Sequence, residues 1–385
     1  MKILYHHRVR SGDGQAVHIT ELIHAFRALG HEVTVVAPSG FEGSNMGSES
    51  ALLDGLKRML PKAVYELMEI AYNVRAYRRL RRAYLETSPD FIYERYSLYL
   101  LAGAILSRRH RVPLILEINS PLAFERAQFG GLGLKRLANF LEAWTWRQAA
   151  HVLPVTGVLG GIVGRSGVKP DRMTIVQNGI NPDEFTGAQD RETAKARLRL
   201  TGRTVLGFTG FMRSWHGLDS VIEFLAQADT PQALHLLLVG DGPARPDLER
   251  QVQSHNLQTR VTFAGLVGRE AIAGTIASFD IALQPRAVEY ASPLKLFEYM
   301  ALGKAIVAPA QPNIREVLTD RKDAVLFDPQ RPGEMEAAIR LLASDSALRE
   351  RLGQAARQTI EAGGFTWPSN AKRICDLAER ARHPS

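Results

Sequence analysis

Lys295 and Glu298 stand three positions apart in SPLKLFEYM (Ser292–Met300), so on a helix they share one face. Ser292 is a favourable N-cap, and Pro293 suits the first helical position, where its missing N–H costs nothing. Leu294, Phe297 and Ala301 recur at helical spacing before Gly303 stops the helix. Ala305–Ala308 is then an apolar run of strand length. A helix N-terminus carries free N–H groups and a partial positive charge, so it attracts phosphate. Lys295 adds a full charge there, and Glu298 can accept hydrogen bonds from sugar hydroxyls. The chemistry indicated is recognition of a phosphorylated, polyhydroxylated ligand. The spacing alone equally permits a surface salt bridge on an ordinary helix.

Other candidates fall after apolar runs of strand length. Val205–Phe208 leads into TGFMRSWHG, with Gly210, Arg213, His216 and Gly217. Arg suits planar, bidentate phosphate recognition, although a lone loop Arg is commonly just solvated. An imidazole at its ordinary pKa is only partly charged at neutral pH, so His216 is the weaker phosphate group. SGDGQAVH (Ser11–His18) opens the first helix. Gly14 lets the backbone approach a phosphate or sugar there, and a plain flexible loop fits the same residues. LEINSPL places Glu117 and Asn119 at another strand end. Asn can donate and accept hydrogen bonds but cannot act as acid or base. Glu125, Arg126 and YERYS (Tyr93–Ser97) could shape a second ligand's side, and packing explains them equally well. VGDGP (Val239–Pro243) is a strand end, a tight turn and a Pro-started helix. No D-x-D occurs and no His/Cys group has metal spacing.

The elements that must position these residues alternate along the chain. Strands are expected at Ile3–His6, Val33–Ala37, Phe91–Glu94, Pro113–Ile118 and Val152–Val155. A second set is expected at Val205–Phe208, Leu234–Val239, Val261–Phe263, Ile281–Leu283 and Ala305–Ala308. Continuous apolar strands separated by helical patterns mean parallel sheets covered on both faces, so the fold class is α/β with two Rossmann-like domains. The join is expected near Asn178–Thr201, where the chain is polar and turn-rich. After Asp328 mainly helix is expected. Ligands in such sheets sit beyond the C-terminal strand ends, where these motifs fall.

With 385 residues the chain is comfortable for two domains, and 45% hydrophobic with 23% charged residues excludes a disordered protein. A single cysteine, Cys375, excludes an internal disulfide and fits a reducing compartment. Met1 and Lys2 lead straight into a strand-like run rather than a signal peptide. No apolar run approaches the ~20 residues that span a bilayer. A cytoplasmic location is expected. Between Leu56 and Arg82 eight basic residues (Lys57, Arg58, Lys62, Arg75, Arg78, Arg79, Arg81, Arg82) face two acidic ones, Glu66 and Glu69. Apolar Val64, Leu67, Met68 and Tyr72 interleave with them. Such a stretch (56–82) suits an anionic membrane surface, peripherally at the inner face. It also suits a helix that packs its apolar side on the core and solvates its arginines. No zinc-finger or aromatic RNA-binding pattern accompanies the charge, so nucleic acid is not an expected partner.

The Ser292–Leu318 segment resembles the nucleotide-sugar signature of family-4 retaining glycosyltransferases, enzymes of the GT-B fold, in an S-P-x-K-x-x-E-Y-M variant. In that family two Glu precede the A-x-G-x-P-V-V-like turn. The ribose-holding Glu falls on Glu298, while the position of the sugar-contacting Glu is held by Tyr290. The resemblance implies that Gly14 faces donor phosphates, that Arg213, His216 and Gly210 belong to the diphosphate loop, and that Ser292, Pro293 and Leu294 open the phosphate-binding helix. It places Val267 where backbone atoms read the nucleobase, and Asn119 where a family His contacts the transferred sugar. It implies a first domain over 1–184, a nucleotide-sugar domain over 185–365 and a C-terminal helix over 366–385 returning to the first, with the two sheets facing across a cleft.

The function so implied is retaining transfer of a sugar from a UDP- or GDP-sugar to a saccharide or lipid-linked acceptor, in surface polysaccharide or glycoconjugate synthesis. Catalysis rests on leaving-group stabilisation by Arg213, Lys295 and the helix N-terminus, with no cofactor and no metal. The departing phosphate takes the acceptor's proton, so no protein nucleophile is required. A sugar-nucleotide epimerase on the same fold is the alternative, but no convincing acid–base pair is found. The other alternative is a non-catalytic binding module, which only the Tyr290 and Asn119 departures favour.

Overall fold

The computed structural model describes residues 1–9, 14–38, 60–187 and 189–382. Eleven strands, all parallel, form two sheets among these residues. The first unit comprises Met1–Gln177, Tyr290–Ser292 and the C-terminal segment from Trp367. The second comprises Asn178–Glu289 and Pro293–Thr366.

In the first unit β1 (Lys2–His6), β2 (Glu32–Val36), β3 (Phe91–Arg95), β4 (Leu114–Ile118) and β5 (His151–Pro154) lie in the order β2-β1-β3-β4-β5. Every residue of β3 and β4 is buried, as expected of strands covered on both faces. The Gly14–Ala28 helix begins at Gly14, and the 16-residue Trp367–Arg382 helix brings Trp367 to 4.6 Å from the His18 ring.

The second unit holds β6 (Thr204–Thr209), β7 (Leu234–Val239), β8 (Val261–Gly265), β9 (Ile281–Leu283), β10 (Ala305–Pro309) and β11 (Val325–Phe327), ordered β11-β10-β9-β6-β7-β8. Alternate residues of one strand enter opposite cores. Leu206 and Phe208 pack with Leu236 and Leu238, whereas Val205 packs with Leu237 and Phe297. Strand β11, just before the region expected to be mainly helical, is absent from the sequence expectations. Strand order reverses between β1 and β3 in the first sheet and between β6 and β9 in the second. In open α/β sheets such a reversal leaves a crevice beyond the strands' C-terminal ends.

Leu56–Met59 of the basic stretch, with Lys57 and Arg58, lie outside the described residues. The rest forms the Lys62–Thr87 helix. Its buried residues are Glu66, Asn73, Ala76 and Leu80, not the apolar set at its start. Glu66 accepts from the Gly133 and Leu134 amides at 2.7 and 2.8 Å and from Tyr99 Oη at 2.8 Å, just before the Lys135–Gln148 helix. Glu69 pairs with Arg126 and Arg8. Both acids of the stretch are thereby turned inward. Val64, Leu67, Met68 and Val74 are 42–58% exposed. With Arg75, Arg78 and Arg82 they make one outward stripe at helical spacing. The apolar residues therefore face solvent, which corrects the reading in which they pack on the core.

Candidate functional site

The reversal point of the second sheet collects most of the sequence candidates. Thr209 ends β6, and both its amide and its hydroxyl donate to Tyr299 Oη, at 2.9 and 3.2 Å. That bond ties the Leu294–Ala301 helix to the end of β6. One turn earlier on the helix, the Lys295 ammonium lies 3.8 Å over the Phe208 ring. A Cβ on Gly210 (φ 130°) would stand 3.2 Å from Lys295 Nζ, so glycine keeps that approach open.

The turns after β6, β7 and β8 are laced together by backbone bonds. Gly210 N–H donates to Val239 O at 2.9 Å, Met212 N–H to Asp241 O at 2.7 Å and Gly240 N–H to Gly265 O at 2.7 Å. A Cβ on Gly240 (φ 122°) would meet Gly210 O at 2.2 Å. The VGDGP turn is thus needed to let one loop backbone lie on the next.

Arg213 is held between two aromatic rings, its guanidinium carbon 4.8 Å from the Phe211 centroid and 5.0 Å from that of Trp215. Its amide donates to His216 Nδ1 at 3.3 Å, which puts the imidazole proton on Nε2. Burial, reinforced by Lys295 and Arg213, pushes the His216 pKa down to about 2. The imidazole is neutral at physiological pH rather than partly charged, a correction to the sequence reading: two cations stand beside it. Val267 is half-buried against the core, following Gly265 at the end of β8.

Lys295 and Glu298 are both partly buried. Burial lowers the Lys295 pKa to about 7, against the opposing pull of Glu298. Burial raises the Glu298 pKa, Arg269 and Lys295 oppose it, and Glu184 adds to it. Arg269 and Glu184 themselves pair at 2.6 Å. Lys295 is therefore a cation held in a place that does not stabilise its charge, and a bound anion would supply what is missing.

The helix start differs from the sequence reading. Pro293 is the N-cap, with φ −69° and ψ 114°, and the helix begins at Leu294. Proline fixes φ but leaves ψ free, and here an extended ψ keeps the residue outside the helix. Ser292 is thus not the cap, and it lies with Tyr290 in the first unit. Pro293, as the N-cap, has no side-chain acceptor to offer the amides of the first turn.

In the first unit Asn119 follows β4, half-buried, beside buried Glu117. Glu117 accepts from Asn119, Arg95, Tyr93 and His18. A second buried pair, His6 Nδ1 and Glu94 Oε2, lies 2.5 Å apart at the ends of β1 and β3. Tyr290 is buried, and its carbonyl accepts from Thr156 Oγ1 at 2.9 Å. Gly14 opens its helix, while Ser11–Asp13 lie outside the described residues. Sequence reasoning did not pick out Phe208, Tyr299, Arg269 or the carboxylate role of Glu117. Tyr299, inside the recognised motif, was the one with a signal to follow.

Two open parallel α/β sheets, with a cationic, glycine-lined reversal point in one, define a class of nucleotide- and sugar-handling enzymes. The comparisons narrow that class. The family model described as "Glycosyl transferases group 1" matches residues 190–359, and that described as "Glycosyl transferase 4-like domain" matches residues 13–179. Between them the two glycosyltransferase models cover most of the chain, and the protein is a glycosyltransferase. It is 27% identical over 279 residues to the alpha-D-kanosaminyltransferase of Streptomyces kanamyceticus, spanning 68% of this chain and 70% of that one. It is 24% identical over 373 residues to a GDP-mannose-dependent alpha-mannosyltransferase of Mycolicibacterium smegmatis, spanning 93% and 90%. The fold is that of the GT-B enzymes. Anabaena HepE in complex with UDP matches with TM-score 0.75 at 18% identity over 98% of this chain and 99% of that one. Sucrose-phosphate synthase from Thermosynechococcus elongatus matches with TM-score 0.78 at 19% identity over 100% of both chains.

A charge forced into a poor environment has a measurable cost. The folded-state pKa of Lys295 lies below its unfolded value, so its burial penalty is full below pH 7 and fades as pH rises towards the unfolded lysine value of about 10.4. Lys295→Met is expected to raise the ligand-free unfolding midpoint at pH 6, with the gain shrinking by pH 9. A lower midpoint at pH 6 would mean that the ammonium is well solvated or paired.

Proposed function

We propose that this glycosyltransferase moves a sugar, with retention and without a metal, from a UDP- or GDP-sugar to a saccharide or lipid-linked acceptor in surface polysaccharide or glycoconjugate synthesis. The observation that carries the reading is the Lys295 ammonium over Phe208, at the reversal point of the second sheet, on the first turn of a helix whose N-cap is Pro293. There the diphosphate lies against Lys295, Arg213 and the amides of Leu294 and its neighbours, with Gly210 allowing close approach. Neutral His216 donates Nε2–H to a phosphate oxygen. Glu298 accepts from ribose hydroxyls, and backbone beside Val267 meets the base. On the first unit, Gly14 faces donor phosphates and Asn119 contacts the transferred sugar.

As the glycosyl–phosphate bond breaks, negative charge collects on the diphosphate, where these two cations stabilise it. The released phosphate oxygen takes the acceptor hydroxyl's proton as the new glycosidic bond forms. The two candidate nucleotides come from relatives: UDP is bound to HepE, and the mycobacterial mannosyltransferase depends on GDP-mannose.

The screen that tests this presents UDP-glucose, UDP-galactose, UDP-N-acetylglucosamine and GDP-mannose in chelator and reads released nucleoside diphosphate. Calorimetry is expected to show UDP or GDP binding undiminished by chelator. A strict requirement for magnesium or manganese would contradict the metal-free reading. Glu298→Ala is expected to weaken nucleotide binding by about 1–3 kcal/mol, because ribose hydroxyls lose a charged acceptor. Unchanged affinity would leave Glu298 a structural partner of Lys295 and Arg269.

The outward stripe of the Lys62–Thr87 helix is proposed to dock on anionic lipid, giving a peripheral location at a membrane's inner face. Among the described residues no helix is long and apolar enough to cross a membrane. The support is charge complementarity: both acids of the basic stretch are consumed inward, leaving exposed Val64, Leu67 and Met68 beside Arg75, Arg78 and Arg82. Each Arg near such a surface contributes about 1 kcal/mol. Reversing Arg75, Arg78 and Arg82 to Glu is therefore expected to cut co-sedimentation with phosphatidylserine liposomes by roughly a hundredfold, and salt is expected to do likewise. Equal, negligible binding by both proteins would make the stripe a solvated face.

A further inference from the structure

Glu117 gathers side chains from two neighbouring strands' worth of chain and a helix. Its Oε1 accepts from Arg95 Nη1 and from Asn119 Nδ2, and its Oε2 accepts from Tyr93 Oη at 2.5 Å and His18 Nε2 at 3.0 Å. An ionised carboxylate has about four lone-pair sites, and here all are filled. Burial by itself would raise the Glu117 pKa. His18 and Arg95, with the hydrogen bonds from His18 and Tyr93, outweigh it and hold the carboxyl well below the usual range. The group is therefore an acceptor only.

That fixes the orientation of Asn119. Only its amide nitrogen can face an acceptor-only carboxylate, so Oδ1 must turn the other way. Asn119 is half-buried at the C-terminal end of β4, and its Oδ1 has no hydrogen-bond partner among the described residues. Without Glu117 an asparagine could offer either end of its amide to a ligand. With it, Oδ1 and the one remaining Nδ2–H are presented in fixed directions.

We propose that Glu117 is a positioning residue that locks the Asn119 amide so that it reads a saccharide hydroxyl as an acceptor, through Oδ1. The selected group is a hydroxyl that donates to Oδ1, and a sugar without a donor at that position loses that bond. The inference rests on the glycosyltransferase reading for the identity of the ligand, but not for the lock itself.

Two readouts keep those apart. In the 15N NMR spectrum the Asn119 side-chain amide, identified by its loss in Asn119→Ser, is expected to show one strongly downfield, slowly exchanging proton. Glu117→Gln is expected to return it to the range of free amides. An ordinary, fast-exchanging Asn119 amide in the wild type would overturn the lock, whatever the enzyme's substrate.

The second readout is turnover of whichever of the four sugar nucleotides releases nucleotide in the screen. Glu117→Gln and Asn119→Ala are each expected to lower kcat/KM roughly tenfold or more, and together no further than the worse of the two. Independent, additive losses would make Glu117 a structural residue only. Asn119→Asp supplies a third check. It keeps an acceptor oxygen but sets a second carboxylate against Glu117, so it is expected to be as impaired as Asn119→Ala. Near-normal turnover by Asn119→Asp would overturn the proposal, because an unlocked acceptor would then suffice. If none of the four sugar nucleotides turns over, the functional reading fails while the NMR result still decides the lock.

Discussion

A lysine ammonium placed over an aromatic ring, in a pocket only partly open to water, is the constraint on which the second unit's site is built. Water solvates such a charge far better than Phe208 does, and the depressed pKa of Lys295 records the difference. The arrangement persists because the fold over-determines it. Tyr299 fastens the helix to Thr209, the glycine turns after β6 and β7 leave no room for side chains, and both faces of the sheet are packed. A site so held would meet an anion without rearranging.

The first unit uses the opposite device. Glu117 is a buried charge with every lone pair engaged, and its value lies in the orientation it imposes rather than in an unmet need. One strand-end group is a cation short of partners, while the other is an anion with none to spare. Each fixes what a ligand will meet, the first in charge and the second in hydrogen-bond direction. Both lie at or beside the point where strand order reverses, which is where the α/β plan leaves backbone ends and side chains free of the core.

Much of this plan is readable in the residues themselves. Runs such as Leu234–Val239 and Ile281–Leu283 are continuously apolar because both faces of their strands are covered, and they form strands with those same bounds. At the Leu294–Ala301 helix the motif is legible but its first residue is not, since proline's ring fixes φ and leaves ψ to the surroundings. The neutrality of His216 depends on burial beside Lys295 and Arg213, which are far apart in the sequence. The knot at Glu117 joins residues from His18 to Asn119, and no local pattern announces it. In the basic helix, composition gives the charge, but only the inward hydrogen bonds of Glu66 and Glu69 show which face carries it.

The central claim is that Lys295 is a poorly stabilised cation awaiting a phosphate, and proton linkage tests it most directly. With a pKa of about 7 the amine is largely neutral at pH 8, and a bound diphosphate would restore its charge. Calorimetric titration with UDP or GDP at pH 8, in two buffers of different ionisation enthalpy, is predicted to show uptake of about one proton by the wild type and none by Lys295→Met. Tight nucleotide binding with no proton uptake, or the same uptake in the Lys295→Met variant, would contradict the account.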